Sequence, residues 1–150
     1  MVGEWVMRRG VMEDLQGIIE VERGCVEAPH WSETIWESVL GAGEERECLV
    51  AVAGPVVVGF VVVGLACDVA ELESVAVAAG ARRRGIGRAL CEAGMDWARG
   101  VGASSMELEV RASSRGALAL YGALGFSEQG RRRGYYREPV EDAVLMQVVL

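Results

Sequence analysis

The sequence predicts an α/β fold, one mostly antiparallel sheet of six to seven strands with helices on both faces. Two observations carry this. Hydrophobic periodicity runs in the order strand, two helices, three strands, helix, strand, helix, two strands, and such helices bury their apolar stripes by covering both sides of a sheet. The chain has 150 residues, 51% of them hydrophobic. That is the size and composition of one domain able to bury about 70% of the surface its unfolded form exposes. Residues 1–150 therefore read as a single domain with room for a closed cleft.

Trp5 to Arg9 makes a short edge strand. Met12-Glu13-Asp14-Leu15 opens a first helix, whose apolar positions Leu15, Ile18, Ile19 and Val21 or Cys25 keep roughly helical spacing. A Pro29-His30 turn breaks the chain, and Ser32 is the N-cap candidate of a second helix. That helix has Glu33 in its first turn, sets Ile35, Trp36, Val39 and Leu40 on one side, and ends at Gly41. Cys48 to Ala53 and Val56 to Gly64 are β-branched runs joined by Gly54-Pro55, the pattern of an antiparallel hairpin. Glu71 to Ala78 is the next strand.

The helix after it carries Ile86, Ala89, Leu90, Ala93 and Trp97 along a core face and stops at Gly100. Ser105 to Val110 alternates Met106, Leu108 and Val110 with Ser105, Glu107 and Glu109, the period of a half-buried strand. Ser113 or Ser114 caps a last helix that runs through Leu124 to Gly125. Phe126 starts another strand, and Ala143 to Leu150 closes the sheet.

With 20 glycines and 3 prolines among mostly apolar residues, the composition is globular, with no tail or linker. The apolar run Val56 to Val63 is too short to cross a bilayer, and Glu4 and nearby arginines replace a signal peptide's apolar core. A cytoplasmic protein without a membrane partner is expected. Four cysteines, at 25, 48, 67 and 91, never form a C-x-x-C pair, and His30 is the one histidine, so neither a zinc site nor a disulfide framework is expected. The net charge of −7 argues against general nucleic-acid binding and suits either a basic partner or plain solubility.

Between the strand ending near Val77 and the helix lies Ala-Arg-Arg-Arg-Gly-Ile-Gly-Arg, residues 81–88. Gly85 and Gly87 leave the amide N–H groups of the turn open, and the helix N-terminus adds about half a positive elementary charge, which makes an anion cradle. Arg82, Arg83, Arg84 and Arg88 can flank a pyrophosphate there, or form a merely solvated helix start. A Walker loop needs Lys and Ser or Thr where Arg88 and Ala89 stand. A Rossmann turn needs a small residue where Leu90 stands.

Glu107 and Glu109 share one face of their strand, about 7 Å apart, so each disfavours the other's ionisation. The pair is either a candidate base near neutral pH or a pair of solvated carboxylates. Tyr121 lies seven residues after Ser114, on the side of Ala117, where its phenol can face a pocket against the glycine loop or simply find a backbone partner.

The arrangement Arg82-x-x-Gly85-x-Gly87 resembles the acetyl-CoA loop of the GNAT acetyltransferases. The segment Leu108 to Phe126, Leu-Glu-Val-Arg-Ala-Ser-Ser-Arg-Gly-Ala-Leu-Ala-Leu-Tyr-Gly-Ala-Leu-Gly-Phe, resembles the second half of the same core. Pro29-His30-Trp31-Ser32-Glu33 and Arg132-Arg133-Gly134-Tyr135-Tyr136 with Glu141-Asp142-Ala143 extend the likeness to RimI-type N-terminal alanine acetyltransferases.

The resemblance implies a GNAT fold and acetyl-CoA as co-substrate without a metal. It makes Glu109 the general base and Tyr121 the acid that protonates the departing thiolate. It also implies that Val75, Ala76 and Val77 bind the pantetheine through their backbone, and that Arg82, Arg83, Arg84, Gly85, Ile86, Gly87 and Arg88 hold the pyrophosphate. Ser114 stands where the family has an Asn that contacts the cofactor, and Ala28-Pro29-His30-Trp31-Ser32 replaces Phe-Pro-Trp-Ser. Trp31, Tyr135 and Tyr136 then face the acceptor.

The expected reaction is transfer of acetyl to a protein N-terminal Ala, with a basic ribosomal protein as substrate and a monomeric enzyme. An α-amino group with a pKa of about 7.7 to 8 is partly unprotonated at cellular pH, so a modest base suffices and no cysteine relay is needed. The alternatives are a GNAT enzyme acting on a small amine or a lysine side chain, or a non-catalytic acetyl-CoA-binding module. Arg131, Arg132, Arg133 and Arg137 with the two tyrosines imitate a nucleic-acid patch. They are read instead as a loop between the last two strands that walls the peptide groove, its arginines solvated or paired with Glu138, Glu141 and Asp142.

Overall fold

The computed structural model describes residues 4–41 and 43–150. Seven strands form one sheet: β1 Val6–Arg9, β2 Arg46–Ala53, β3 Val56–Ala66, β4 Val69–Val77, β5 Ser105–Arg111, β6 Ser127–Arg137 and β7 Val140–Val149, in the spatial order β1-β2-β3-β4-β5-β7-β6. Every neighbouring pair is antiparallel except β4 with β5. Helices α1 Leu15–Arg23 and α2 Glu33–Leu40 cover one face, and α3 Ile86–Gly100 and α4 Arg115–Ala123 lie on the other. This is the mostly antiparallel α/β architecture that the sequence predicts. Among the described residues no helix is long and apolar enough to cross a membrane.

The unbroken apolar run of β3 reflects its place: Val58 to Val63 are buried because helices cover both faces of this central strand. Ser32 accepts the Ile35 N–H at 3.3 Å and starts α2, which buries Trp36 and Val39. Ile35 does not join them and points to solvent, since an eight-residue helix on one sheet buries only its i, i+3 seam. The chain enters α1 through a 3₁₀ turn at Met12–Asp14, and Cys25 lies beyond the helix end.

Helix α3 buries Ile86, Leu90, Cys91, Gly94, Met95 and Ala98, while Ala89, Ala93 and Trp97 are only partly covered. The buried face is thus rotated from the apolar positions read in the sequence. Small residues explain the shift: a Cβ at Gly94 would stand 2.9 Å from Val63 Cγ2, so the helix seats its smallest residues against β3, where close approach gains contact.

β4 and β5 pair only from Val69–Glu71 with Ser105–Glu107. Beyond that point β5 continues along β7 and β4 along β3, and the two strands part. β6 corrects the sequence reading, because Arg131, Arg132, Arg133, Tyr135 and Tyr136 belong to a strand and the turn comes at Glu138-Pro139. An edge strand is held by backbone hydrogen bonds and can be charged on its exposed faces, so it leaves no apolar alternation to read. Its register shifts between Arg132 and Tyr136, where Gly134 adopts φ 58°.

Candidate active site

The parting of β4 from β5 opens a cleft of about 1010 Å³, lined by both strands, the loop after α1, the start of α4 and β6. Ala78 N–H donates to Val58 O at 2.8 Å. Because backbone direction alternates along a strand, Val75 and Val77 aim their N–H and C=O groups into the cleft, and Ala76 between them turns its own to β3. The Val77 carbonyl already accepts from Arg82 Nε at 3.2 Å and from the Cys25 thiol at 3.5 Å.

At one end of the cleft α3 begins. Gly85 takes φ 77°, a left-handed conformation that a side chain would strain, and it has no side chain with which to cap the helix. The first intrahelical bond is Ala89 N–H to Gly85 O at 3.0 Å, so the N–H groups of Ile86, Gly87 and Arg88 lie ahead of the ladder and are available to an anion. Arg82 and Gly87 line the cleft. The Ile86 side chain is buried in the core, which leaves its backbone as its contribution, and Arg88 pairs with Glu92 at 3.2 Å.

The opposite wall is α4. Ser114 occupies the N-cap position without capping, and its hydroxyl donates to Glu27 Oε1 at 2.7 Å. Two turns on, Tyr121 lines the cleft and is buried against Phe126, ring centroids 5.8 Å apart. Burial, with smaller contributions from Cys91, Glu27 and Tyr136, pushes its pKa well above the usual phenol range. The phenol therefore keeps its proton across the physiological range.

Glu109, Trp31, Tyr135 and Tyr136 also line the cleft. Arg132 Nε lies 3.6 Å from Glu109 Oε1 and stacks over the Tyr135 ring at 5.5 Å. Hydrogen bonding to Glu109, then that carboxylate's charge, raises the Tyr135 pKa. The pairings expected for the β6 arginines differ: Arg131 holds Glu128 at 3.4 Å, whereas Glu141 binds Arg111 at 3.2 Å and Asp142 accepts from Gly134 N–H at 3.0 Å. The reason is register, since Glu141 and Asp142 lie in β7 and face β5 and the bulge.

An Acetyltransferase (GNAT) family model matches residues 12–126. The chain belongs to this family. The acetyltransferase is 35% identical over 135 residues, 89% of each chain, to [ribosomal protein bS18]-alanine N-acetyltransferase of Escherichia coli K12. The crystal structure of the ribosomal-protein-S18-alanine N-acetyltransferase from Escherichia coli superposes with a TM-score of 0.87 at 32% identity, covering 97% of this chain and 94% of that one. Arabidopsis thaliana NAA60 in complex with acetyl-CoA shares the fold, with a TM-score of 0.88 at 18% identity and coverage of 98% and 99%. Acetyl-CoA is the co-substrate of this N-acetyltransferase, and the open β4 edge and uncapped α3 N-terminus suit its amide-bearing arm and its pyrophosphate.

Sequence reasoning missed Glu27, Glu71, Glu73 and Ser74, which also line the cleft of the acetyltransferase. A signal existed for two of them: Glu71-Leu72-Glu73 on β4 repeats Glu107-Leu108-Glu109 on β5, and Glu71 is the register partner of Glu107. Burial first, then the charges of Glu73, Glu109 and Glu107, push the Glu71 carboxyl up, with Arg46 opposing. A carboxyl raised in the folded state favours folding below its unfolded pKa and loses that contribution as pH rises. Glu71→Gln is therefore expected to raise Tm at about pH 8 and to match the wild type near pH 4. Calorimetry at the two pH values checks this.

The cysteines give a second readout. Burial pushes the Cys48 and Cys91 thiols up to about 12, leaving about one thiolate in ten thousand at pH 8. Cys67 is exposed and Cys25 faces the cleft. Iodoacetamide should label Cys67 and Cys25 and spare the other two, and saturating acetyl-CoA should protect Cys25 alone. Peptide mass mapping decides it.

Proposed function

We propose that the protein acetylates the N-terminal α-amine of a polypeptide that begins with Ala, as the name of its Escherichia coli relative describes, and that a ribosomal protein is its acceptor. The observation that carries the reading is the placement of Glu109 and Tyr121 on two walls of one cleft, with the β4 edge between them and the α3 N-terminus at its end. Acetyl-CoA supplies an activated acyl group with a thiol as leaving group. Glu109, directly or through one water, takes the proton that the amine sheds as it bonds to the acyl carbon.

A backbone N–H at Val77 stabilises the negative charge that builds on the acyl oxygen. Tyr121 gives its proton to the sulfur as the C–S bond breaks. The burial that raises the phenol also raises the basicity of a thiolate formed beside it, so the two stay matched. Trp31, Tyr135 and Tyr136 frame the acceptor, and their rigid rings make contact at low entropic cost.

The test is incubation with acetyl-CoA and a basic Ala-starting peptide, with fragmentation to locate the added acetyl group. Acetyl on the α-amine is expected. Acetyl confined to lysine side chains, or tight acetyl-CoA binding in calorimetry without turnover on any amine, overturns the reading.

A further inference from the structure

The cleft continues past the reacting groups. A second recess of about 880 Å³, lined by Glu37, Glu45, Glu71, Glu73 and Glu107 among others, shares Glu71 and Glu73 with the main cleft. Among the residues that line it, Arg46 is the one cation, and it is held at 3.0 Å by Glu73 Oε1. The other oxygen, Glu73 Oε2, is buried and has no hydrogen-bond partner among the described residues, and neither has the hydroxyl of Ser74. Ser74 is 5% exposed yet lines the main cleft beside Glu71 and Glu73. Buried acceptors of this kind call for a donor.

We propose that Glu71, Glu73, Ser74 and Glu107 form a subsite for a cationic side chain of the acceptor polypeptide, a Lys or Arg at its second or third residue. The assignment rests on the peptide-acceptor reading above. An ammonium or guanidinium brings three or five N–H donors, enough to satisfy Ser74 Oγ and Glu73 Oε2 while offsetting part of the negative charge around Glu71 and Glu107. A chelated metal ion is not the occupant: among the described residues no three His, Cys, Asp or Glu side chains converge as metal ligands do.

Reach agrees. With about 7 Å between alternate residues along a strand and paired strands about 4.8 Å apart, Glu107 and its register partner Glu71 lie about 7–9 Å from Glu109. One or two residues of extended chain plus a Lys or Arg stem span that distance. The raised Glu71 carboxyl fits a site left with surplus negative charge until a cation arrives.

The test measures kcat/KM for Ala-X peptides with X as Arg, Lys, norleucine or Glu and an otherwise neutral tail, with spermidine as a parallel acceptor. Arg and Lys peptides should exceed norleucine at least tenfold, chiefly through KM, and high salt should shrink the gap. In Glu71→Gln, and separately in Glu107→Gln, the Arg-to-norleucine ratio should fall toward one; the norleucine rate in the same variant reports that the enzyme is folded. Equal rates for Arg and norleucine in the wild type, with the α-amine still acetylated, overturn the subsite and leave the peptide reading intact. Acetylation of spermidine with no α-acetyl product on any peptide overturns the peptide reading, and the assignment to a peptide side chain with it.

Discussion

Glu109→Gln lowers kcat at least tenfold and leaves the acetyl-CoA Kd nearly unchanged. Glutamine keeps the shape of the side chain beside Arg132 and Tyr135 but has no carboxylate to take a proton. Positioned proton transfer is worth roughly 10² to 10⁴ in rate, and a partly unprotonated α-amine needs the lower end of that range. The contacts proposed for the co-substrate lie elsewhere, on the β4 backbone and the α3 N-terminus, so its affinity should survive. Raising the pH should narrow the gap between variant and wild type, because the amine then loses its proton without help. Steady-state kinetics across pH with calorimetric Kd values checks all three statements; an unchanged kcat removes Glu109 from the mechanism.

Trp36→Ala costs about 3–5 kcal/mol of stability. Trp36 is fully buried, edge-on to Phe60 with ring centroids 4.9 Å apart, and packs on Trp31 at 5.0 Å. Its indole N–H donates to Glu22 Oε1 at 2.9 Å, and the other oxygen of that fully buried carboxylate accepts from Trp31 N–H at 3.1 Å. Alanine leaves a large cavity and strips one hydrogen-bond donor from a buried carboxyl group. For a chain of this length each kcal/mol moves Tm by about 2–4 °C, so a fall of about 6–20 °C is expected by circular dichroism. Trp36→Phe should recover part of the loss. The variant also loosens Trp31 on the rim of the cleft, which should raise the acceptor KM.

Much of the fold was legible because burial imposes a period. The alternation of Met106, Leu108 and Val110 gave β5 its correct face and so placed Glu109 opposite the core. Ser32 and Gly41 marked the two ends of α2 because helix termini need side-chain acceptors and a stop. The strand beginning after Phe126 was read, but its arginine-rich length was taken for a loop, because an edge strand is held by backbone pairing and leaves no apolar alternation. The buried face of α3 was misread because Gly94, which comes closest to Val63 of β3, carries no side chain for hydrophobic periodicity to count. Ser113 or Ser114 was read as the cap of α4, and only the folded chain brings Glu27, 87 residues away, to claim the Ser114 hydroxyl.

By itself the sequence determined the α/β order, the glycine loop before α3 and the residue types of the proposed chemistry, since these depend on spacing within one segment. Tertiary structure alone decided that β4 and β5 part after Glu71 and Glu107, that Val75 and Val77 face the gap, and that two Glu-Leu-Glu segments meet to make an acidic wall. Strand order and register are properties of pairing between distant segments, and no local pattern encodes which neighbour a strand leaves or when.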